Sequence, residues 1–188
     1  MKTTKTIALI VLTILGVSIV TAAENLMTKK DVSYQVFPGD WNKKLINDKN
    51  LGKFLDPDLD RATNKRKGLL ADGKKDQRAV CYNYHWTKKD LRFVTIVVDL
   101  GKEYNLSKVN IVAFRNNDAY NPSFFDISVS SDNVKFTDAA KGTTWKTKAH
   151  YQRIANAELS NIKGRYVKIK VGTSSAWINI SEIEIFDK

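Results

Sequence analysis

Apolar and polar residues alternate along the second half of the chain with the period of two that is typical of β-strands. The run Val94–Leu100 is apolar on both faces and predicts a central strand, and the polar segment GKEYNLS that follows it predicts a turn. Four further runs are predicted to be strands: Lys108–Phe114, Phe124–Ser131, Arg165–Val171 and Ile178–Phe186. Many short strands at nearly regular spacing, with weak helical periodicity throughout, predict an all-β antiparallel sandwich.

The last predicted strand breaks its own alternation. Its first two isoleucines have one parity, whereas Ile183 and Ile185 have the other. A strict period of two cannot bury all four on one face, so we expect a β-bulge or a bend near Asn179–Ser181. Such an irregularity would place Glu182 close to a loop rather than in the middle of a ladder.

The first 23 residues have the layout of a secretory signal peptide. A positively charged start precedes the apolar run Ile7–Val20, and small residues follow, with cleavage expected near Ala22 or Ala23. The run is short for a membrane span, and an uncleaved anchor is the alternative. We therefore expect a secreted or periplasmic protein with one domain, residues 24–188.

The net charge of the whole chain is +11, and Lys2 and Lys5 contribute two of these charges, which leaves +9 for residues 24–188. Such a charge favours acidic partners: an anionic polysaccharide, a membrane surface or nucleic acid. Secretion makes nucleic acid the least expected of the three, and a merely solvated basic surface is the alternative. The single cysteine, Cys81, leaves the fold without an internal disulfide.

Four segments of the second half occur in a recognisable order: VVDLGKEYNLSKVNI, FDISVSSDNVKFT, GRYVKIKV and WINISEIEIF. Together they resemble the discoidin-like, coagulation-factor type C domains and the related galactose-binding-like carbohydrate-binding modules. The resemblance covers about Asn25–Lys188 and is strongest from Val97 onward. It implies a jelly-roll β-sandwich of about eight strands, and a binding role rather than catalysis.

The resemblance also implies a structural Ca²⁺ between the loop LLADGKK and the last strand. Carried over to this sequence, its ligands would be Asp72 and Glu182, with Asp76 as a weaker third candidate, because Ca²⁺ takes carboxylate and carbonyl oxygens. The alternative is that Asp72 belongs to an ordinary tight turn and that Glu182 is exposed. Lys74 and Lys75 follow the turn where relatives carry Asp, Asn or Thr, so their ammonium groups would have to point away from a bound cation.

Sugar-binding relatives hold their ligand in loops at one end of the sandwich, where an aromatic plate and hydrogen-bonding side chains meet. The matching loop here is FRNNDAYNPS. The candidate ligand-binding residues are, in order, Arg115, Asn116, Asn117 and Tyr120, then His85 and Trp86, and last Trp41 and Trp145. The alternatives are that the asparagines only form a turn and that Trp86 belongs to the core.

No nucleophile-elbow, zinc-protease or P-loop signature is present in the sequence, so we expect no enzymatic activity. The sequence predicts a secreted, non-catalytic carbohydrate-binding module, and the positive charge favours an acidic glycan. The alternative is a cell-surface adhesion domain or a domain that binds anionic membranes. That alternative requires Trp41 or Phe124 to be exposed at a loop tip with basic residues behind it.

Overall fold

The structure is a computed structural model that describes residues 23–39, 54–55, 59–60, 65–66, 68–75, 79–83, 93–114, 122–149, 152–174 and 177–188. The predicted signal peptide, apart from Ala23, and the candidate ligand-binding residue Trp41 lie outside these residues. The described ranges contain a short 3₁₀ helix, Leu26–Thr28, and no α-helix. None of their helical segments is long and apolar enough to cross a membrane.

Eleven β-strands account for most of the described residues, and eight of them have four or more residues. In chain order the strands are β1 (Ser33–Pro38), β2 (Phe54–Leu55), β3 (Leu59–Asp60), β4 (Lys65–Arg66), β5 (Val80–Asn83), β6 (Phe93–Phe114), β7 (Phe124–Ser130), β8 (Thr137–Gly142), β9 (Lys146–Ala149), β10 (Gln152–Gly172) and β11 (Trp177–Asp187).

The strands pair antiparallel throughout and form two layers around one core, which confirms the predicted β-sandwich. The first layer has the order β1, first half of β6, second half of β10, β7 and β8. The second layer has the order β2, β5, β11, second half of β6, first half of β10 and β9. Strands β3 and β4 form a separate two-stranded sheet.

Two long strands, β6 and β10, belong to both layers. The predicted turn GKEYNLS is wrong, because β6 stays extended from Phe93 to Phe114. Its direction changes near Gly101, whose φ of 78° is a conformation that glycine adopts without strain. Both halves of β6 find partners along β10, so the ladder resumes after an interruption instead of ending at a turn.

The phase break in β11 is a β-bulge, as the sequence predicted. Ile180 lies opposite Ala113 and Glu182 lies opposite Val112, so Ser181 is the extra residue. The bulge lets all four isoleucines of the strand reach the core, where each is fully buried. The strand predicted at Phe124–Ser131 is β7, and its apolar residues at alternate positions are buried: Phe125, Ile127 and Val129.

Candidate functional site

The segment Gly68–Lys75, called the Asp72 turn below, lies against the bulged part of β11. The backbone N–H of Ile183 donates to the carbonyl oxygen of Leu70 at 2.8 Å. The backbone N–H of Gly73 donates to Glu182 Oε1 at 3.1 Å. The fold therefore brings the turn that carries Asp72 and the Glu182 carboxylate together, although 109 residues separate the two hydrogen-bonded residues.

Local chemistry fixes the shape of the Asp72 turn. Asp72 Oδ1 accepts a hydrogen bond from the backbone N–H of Lys74 at 2.9 Å, which is the usual way in which an aspartate closes its own turn. Gly73 has a φ of 79°, a left-handed value that is unfavourable for other residues. Leu70 is fully buried and its N–H donates to the Tyr34 hydroxyl at 3.3 Å, so the turn is anchored in the core.

The Glu182 carboxyl is only 1% exposed and is incompletely bonded. Its Oε1 accepts the hydrogen bond from Gly73, whereas its Oε2 is buried and has no hydrogen-bond partner in the described part of the chain. Burial is the main reason that the pKa of Glu182 is raised to about 7, and the nearby Asp72 and Glu184 carboxylates raise it further. The Gly73 N–H and the Lys75 ammonium act in the opposite direction.

Lys75 is directed toward a different carboxylate of the same strand. Its Nζ lies 2.5 Å from Glu184 Oε1, and Asn110 Nδ2 donates to Glu184 Oε2 at 2.8 Å. Burial acts to raise the pKa of Glu184, but these hydrogen bonds together lower it below its ordinary value. Lys74 is largely exposed, with its Nζ 4.0 Å from Asp72 Oδ2. Lys75 is thus paired with Glu184, a residue that sequence reasoning did not single out.

Several side-chain polar atoms in the first half of β11 are buried without hydrogen-bond partners among the described residues. They are both side-chain polar atoms of Asn179, the hydroxyl of Ser181 and Glu182 Oε2. Unpartnered oxygens of this kind fit a hard cation such as Ca²⁺, which prefers oxygen ligands. The described ranges contain no group of three or more His, Cys, Asp or Glu residues that could hold a metal ion. A Ca²⁺ site would therefore need hydroxyl, amide or carbonyl oxygens beside Asp72 and Glu182.

The remaining predicted site residues lie outside the described residues: Asp76, His85, Trp86, Arg115, Asn116, Asn117 and Tyr120. The strand ends that precede them are described. Asn83, the last residue of β5, pairs with Trp177, the first residue of β11. Ala113, next to the last residue of β6, pairs with Ile180. The last residues of β5 and β6 therefore both lie near the first residues of β11. The segment that carries His85 and Trp86 follows β5, and the segment that begins with Arg115 follows β6.

Two other aromatic candidates can be judged from the structure. Trp145 is half-buried and its ring meets Phe125 edge to face, with the centroids 5.9 Å apart, so it packs against the core. Phe124 is also half-buried, with the Lys170 ammonium 5.8 Å from its ring centroid. Among the described residues Val134 is the one large hydrophobic residue that is exposed, so Phe124 does not meet the requirement of a membrane-inserting tip.

Comparison with models of known protein families gives a match to this chain. The family model of the F5/8 type C domain matches residues 60–184. No curated protein matches the sequence.

Similar solved structures include carbohydrate-binding modules of Clostridium perfringens. The module CpGH89CBM32-6 has a TM-score of 0.54 at 18% identity, over 88% of this chain and 100% of its own. The module CpGH89CBM32-5, in complex with GalNAc-β-1,3-galactose, has a TM-score of 0.57 at 15% identity, over 88% of this chain and 99% of its own. The family 32 module of NanJ, in complex with galactose, has a TM-score of 0.55 at 14% identity, over 88% of this chain and 98% of its own.

Proposed function

The chain belongs to the F5/8 type C domain family, and from this premise we propose that it is a non-catalytic carbohydrate-binding module. The observation that carries the proposal is the similarity to isolated family 32 modules. The similarity extends over almost the whole length of each of these modules. Two of those modules are in complex with galactose or a galactose-containing disaccharide. We infer that the ligand of this chain is likewise a glycan.

The ligand site is proposed to lie where β5 and β6 end, in the segments that carry Arg115, Asn116, Asn117 and Tyr120, with His85 and Trp86 beside them. Arginine and asparagine supply hydrogen bonds to hydroxyl groups, and tyrosine supplies an aromatic face for the C–H side of a sugar ring. The convergence of the two preceding strand ends at the start of β11 supports this placement.

Binding can be measured by isothermal titration of residues 24–188 with a neutral sugar panel of galactose, N-acetylgalactosamine and glucose. We expect one of the three to bind, and Arg115→Ala or Tyr120→Ala to weaken it about tenfold, as expected for a lost charge-assisted hydrogen bond or stacking contact. Lys146→Ala, at an exposed position on β9, is the control that removes one positive charge elsewhere. If both Arg115→Ala and Tyr120→Ala bind the sugar as tightly as the wild type, the proposed site is wrong.

The net charge of +9 on residues 24–188 further supports an acidic glycan as the natural ligand. Polygalacturonate tests this part separately, because binding to a polyanion weakens as salt screens the charges. Neutral sugars should bind equally at low and high salt, whereas polygalacturonate should bind more tightly at low salt. Equal affinity for polygalacturonate at both salt concentrations would contradict an electrostatic contribution.

We also propose that Ca²⁺ binds between the Asp72 turn and β11, held by Asp72 and Glu182. The buried, unpartnered Glu182 Oε2 supports this. A bound cation would neutralise the carboxylates and tie the turn to the strand. The ion would be structural, so chelation should lower thermal stability while the sugar affinity of the folded protein stays unchanged.

Residues 1–23 are proposed to be a signal peptide that directs the protein out of the cytoplasm. Expression of the full chain in a bacterial host with a Sec pathway, followed by mass spectrometry, should show a mature protein that begins at Ala23 or Glu24. An intact residue 1 in the exported fraction would contradict cleavage and favour the uncleaved anchor.

A further inference from the structure

A second concave surface lies on the first layer of the sandwich, at the edge formed by β7 and β8. Strands β6 and β10 lie between this edge and β11, which carries the Ca²⁺ candidate. The concavity has a volume of about 440 Å³, within the range of roughly 300–1,000 Å³ of small-molecule sites. It is lined by residues of both strands: Asp126, Ile127, Asp138, Ala139, Ala140 and Lys141.

A β-bulge in β8 creates the polar face of this concavity. Asp126 lies opposite Lys141 and Ser128 lies opposite Asp138, so Ala139 is the extra residue. Residues three positions apart on a regular strand face opposite sides of the sheet. The bulge instead places both Asp138 and Lys141 on the outer face, beside Asp126.

The three charged side chains that line the concavity are exposed and available for a ligand. No hydrogen bond or ion pair joins the side chains of Asp126, Asp138 and Lys141 to other residues in the described part of the chain. The ammonium groups of the neighbouring β10 lysines lie instead over aromatic rings. Lys168 Nζ is 4.1 Å from the Phe136 ring centroid, and Lys170 Nζ is 3.9 Å from the Phe93 ring centroid.

The signs of the charges restrict the chemistry of the ligand. A cation would be attracted by the two carboxylates but repelled by the Lys141 ammonium. An anion would be attracted by Lys141 but repelled by the two carboxylates. A hydroxyl group suits both, because it can donate to a carboxylate and accept from an ammonium. We infer that the β7–β8 concavity is a second carbohydrate subsite, for a neutral polyhydroxyl ligand, and this inference rests on the proposed glycan-binding function.

Amide shifts in two-dimensional ¹⁵N–¹H spectra can separate this subsite from the loop site. Residues 24–188 are titrated with each sugar of the neutral panel, as wild type and as the loop variant Arg115→Ala/Tyr120→Ala. We expect the amides of Ala139, Ala140 and Lys141 to shift in a saturable way in both proteins. Asp126→Asn/Asp138→Asn should weaken that binding about tenfold or more, because each substitution removes a charged acceptor.

Glu158→Gln, at an exposed position on β10, is the matched control and should leave the shifts unchanged. The asparagine substitutions are nearly isosteric and exposed, and retained dispersion of the spectrum verifies the fold of each variant. Shifts confined to residues 115–121 would overturn the second subsite and leave the proposed function intact. Shifts at β8 that persist unchanged in the double asparagine variant would also overturn it. The absence of any shift with all three sugars would overturn the subsite and the proposed neutral-sugar binding together.

Discussion

Glu182→Gln should stabilise the calcium-free protein near neutral pH, although it replaces a residue proposed to hold Ca²⁺. The glutamine amide oxygen can still accept the hydrogen bond from the Gly73 N–H, but it carries no charge. In the wild type the Glu182 carboxyl is buried, with one oxygen unpartnered among the described residues. Ionisation of this carboxyl therefore opposes folding.

The size of the effect follows from the pKa of Glu182, which is about 7 in the folded state against an ordinary value of 4.5. Between these two values the folded state binds more protons than the unfolded state, so the free energy of unfolding falls as the pH rises. At about 1.4 kcal/mol for each pH unit, the full loss amounts to roughly 3 kcal/mol above pH 7. The glutamine variant lacks this titration and should not show the loss.

Urea denaturation in EDTA, at about pH 4.5 and about pH 8, measures the effect. The difference in unfolding free energy between Glu182→Gln and wild type should be larger at the higher pH by roughly 3 kcal/mol. Glu158→Gln is the matched control for the loss of one exposed carboxylate. An equal difference at both pH values would refute the reasoning, because the Glu182 carboxyl would then titrate alike in both states.

Addition of Ca²⁺ at pH 8 should reverse the order of stability. An ion that binds the folded state at a thousandfold excess over its Kd adds about 4.1 kcal/mol, which exceeds the roughly 3 kcal/mol advantage of the variant, and only the wild type offers the Glu182 carboxylate as a ligand. A Ca²⁺-dependent stabilisation of the same size in Glu182→Gln would exclude this carboxylate as a ligand, while the pH dependence in EDTA would be unaffected.

Three further substitutions test other parts of the fold. Gly164→Ala would place a Cβ 2.2 Å from Val129 Cγ1. We therefore expect the unfolding free energy, measured by urea denaturation, to fall by about 1–3 kcal/mol. A wild-type urea midpoint would contradict this close packing. Asp132→Ala should lower the melting temperature at neutral pH and have less effect near pH 2, because the pKa of Asp132 is lowered to about 2 by hydrogen bonds from the β7–β8 turn. Gly73→Ala should cost about 1–2 kcal/mol from the left-handed backbone alone, since no atom of the described residues crowds the position. A neutral effect would show that the turn relaxes.

Local alternation predicted β7, β11 with its irregularity, and parts of β6 and β10, but it did not predict β8, β9 or the first half of β10. The parity change between its isoleucines required an extra residue, and the structure places that residue at Ser181. The turn expected after Leu100 was wrong for a non-local reason. Polar residues and Gly101 indicate a turn by composition, but the continuity of β6 depends on its pairing with β10, which no local pattern reveals.

The candidate metal site was predictable only in part. The resemblance to a known family indicated Asp72 and Glu182, and the fold brings the turn and the strand together. The pairing of Lys75 with Glu184 was not foreseen, because the two residues are 109 positions apart and no local pattern links them. The unpartnered side chain of Asn179 also carries no signal in the sequence, since it follows from burial alone.

The passage of β6 and β10 through both layers has a consequence for how the domain comes apart. A sandwich whose layers were joined only by loops could open between them like a hinge, exposing its core while each sheet survived. Here the two central strands continue from one layer into the other, so separation of the layers would disturb the β6–β10 pairing on both sides of Gly101, at Asp99–Tyr166 and at Tyr104–Gly164. The innermost amides of β6 should therefore exchange their hydrogens only through complete unfolding, at one common free energy.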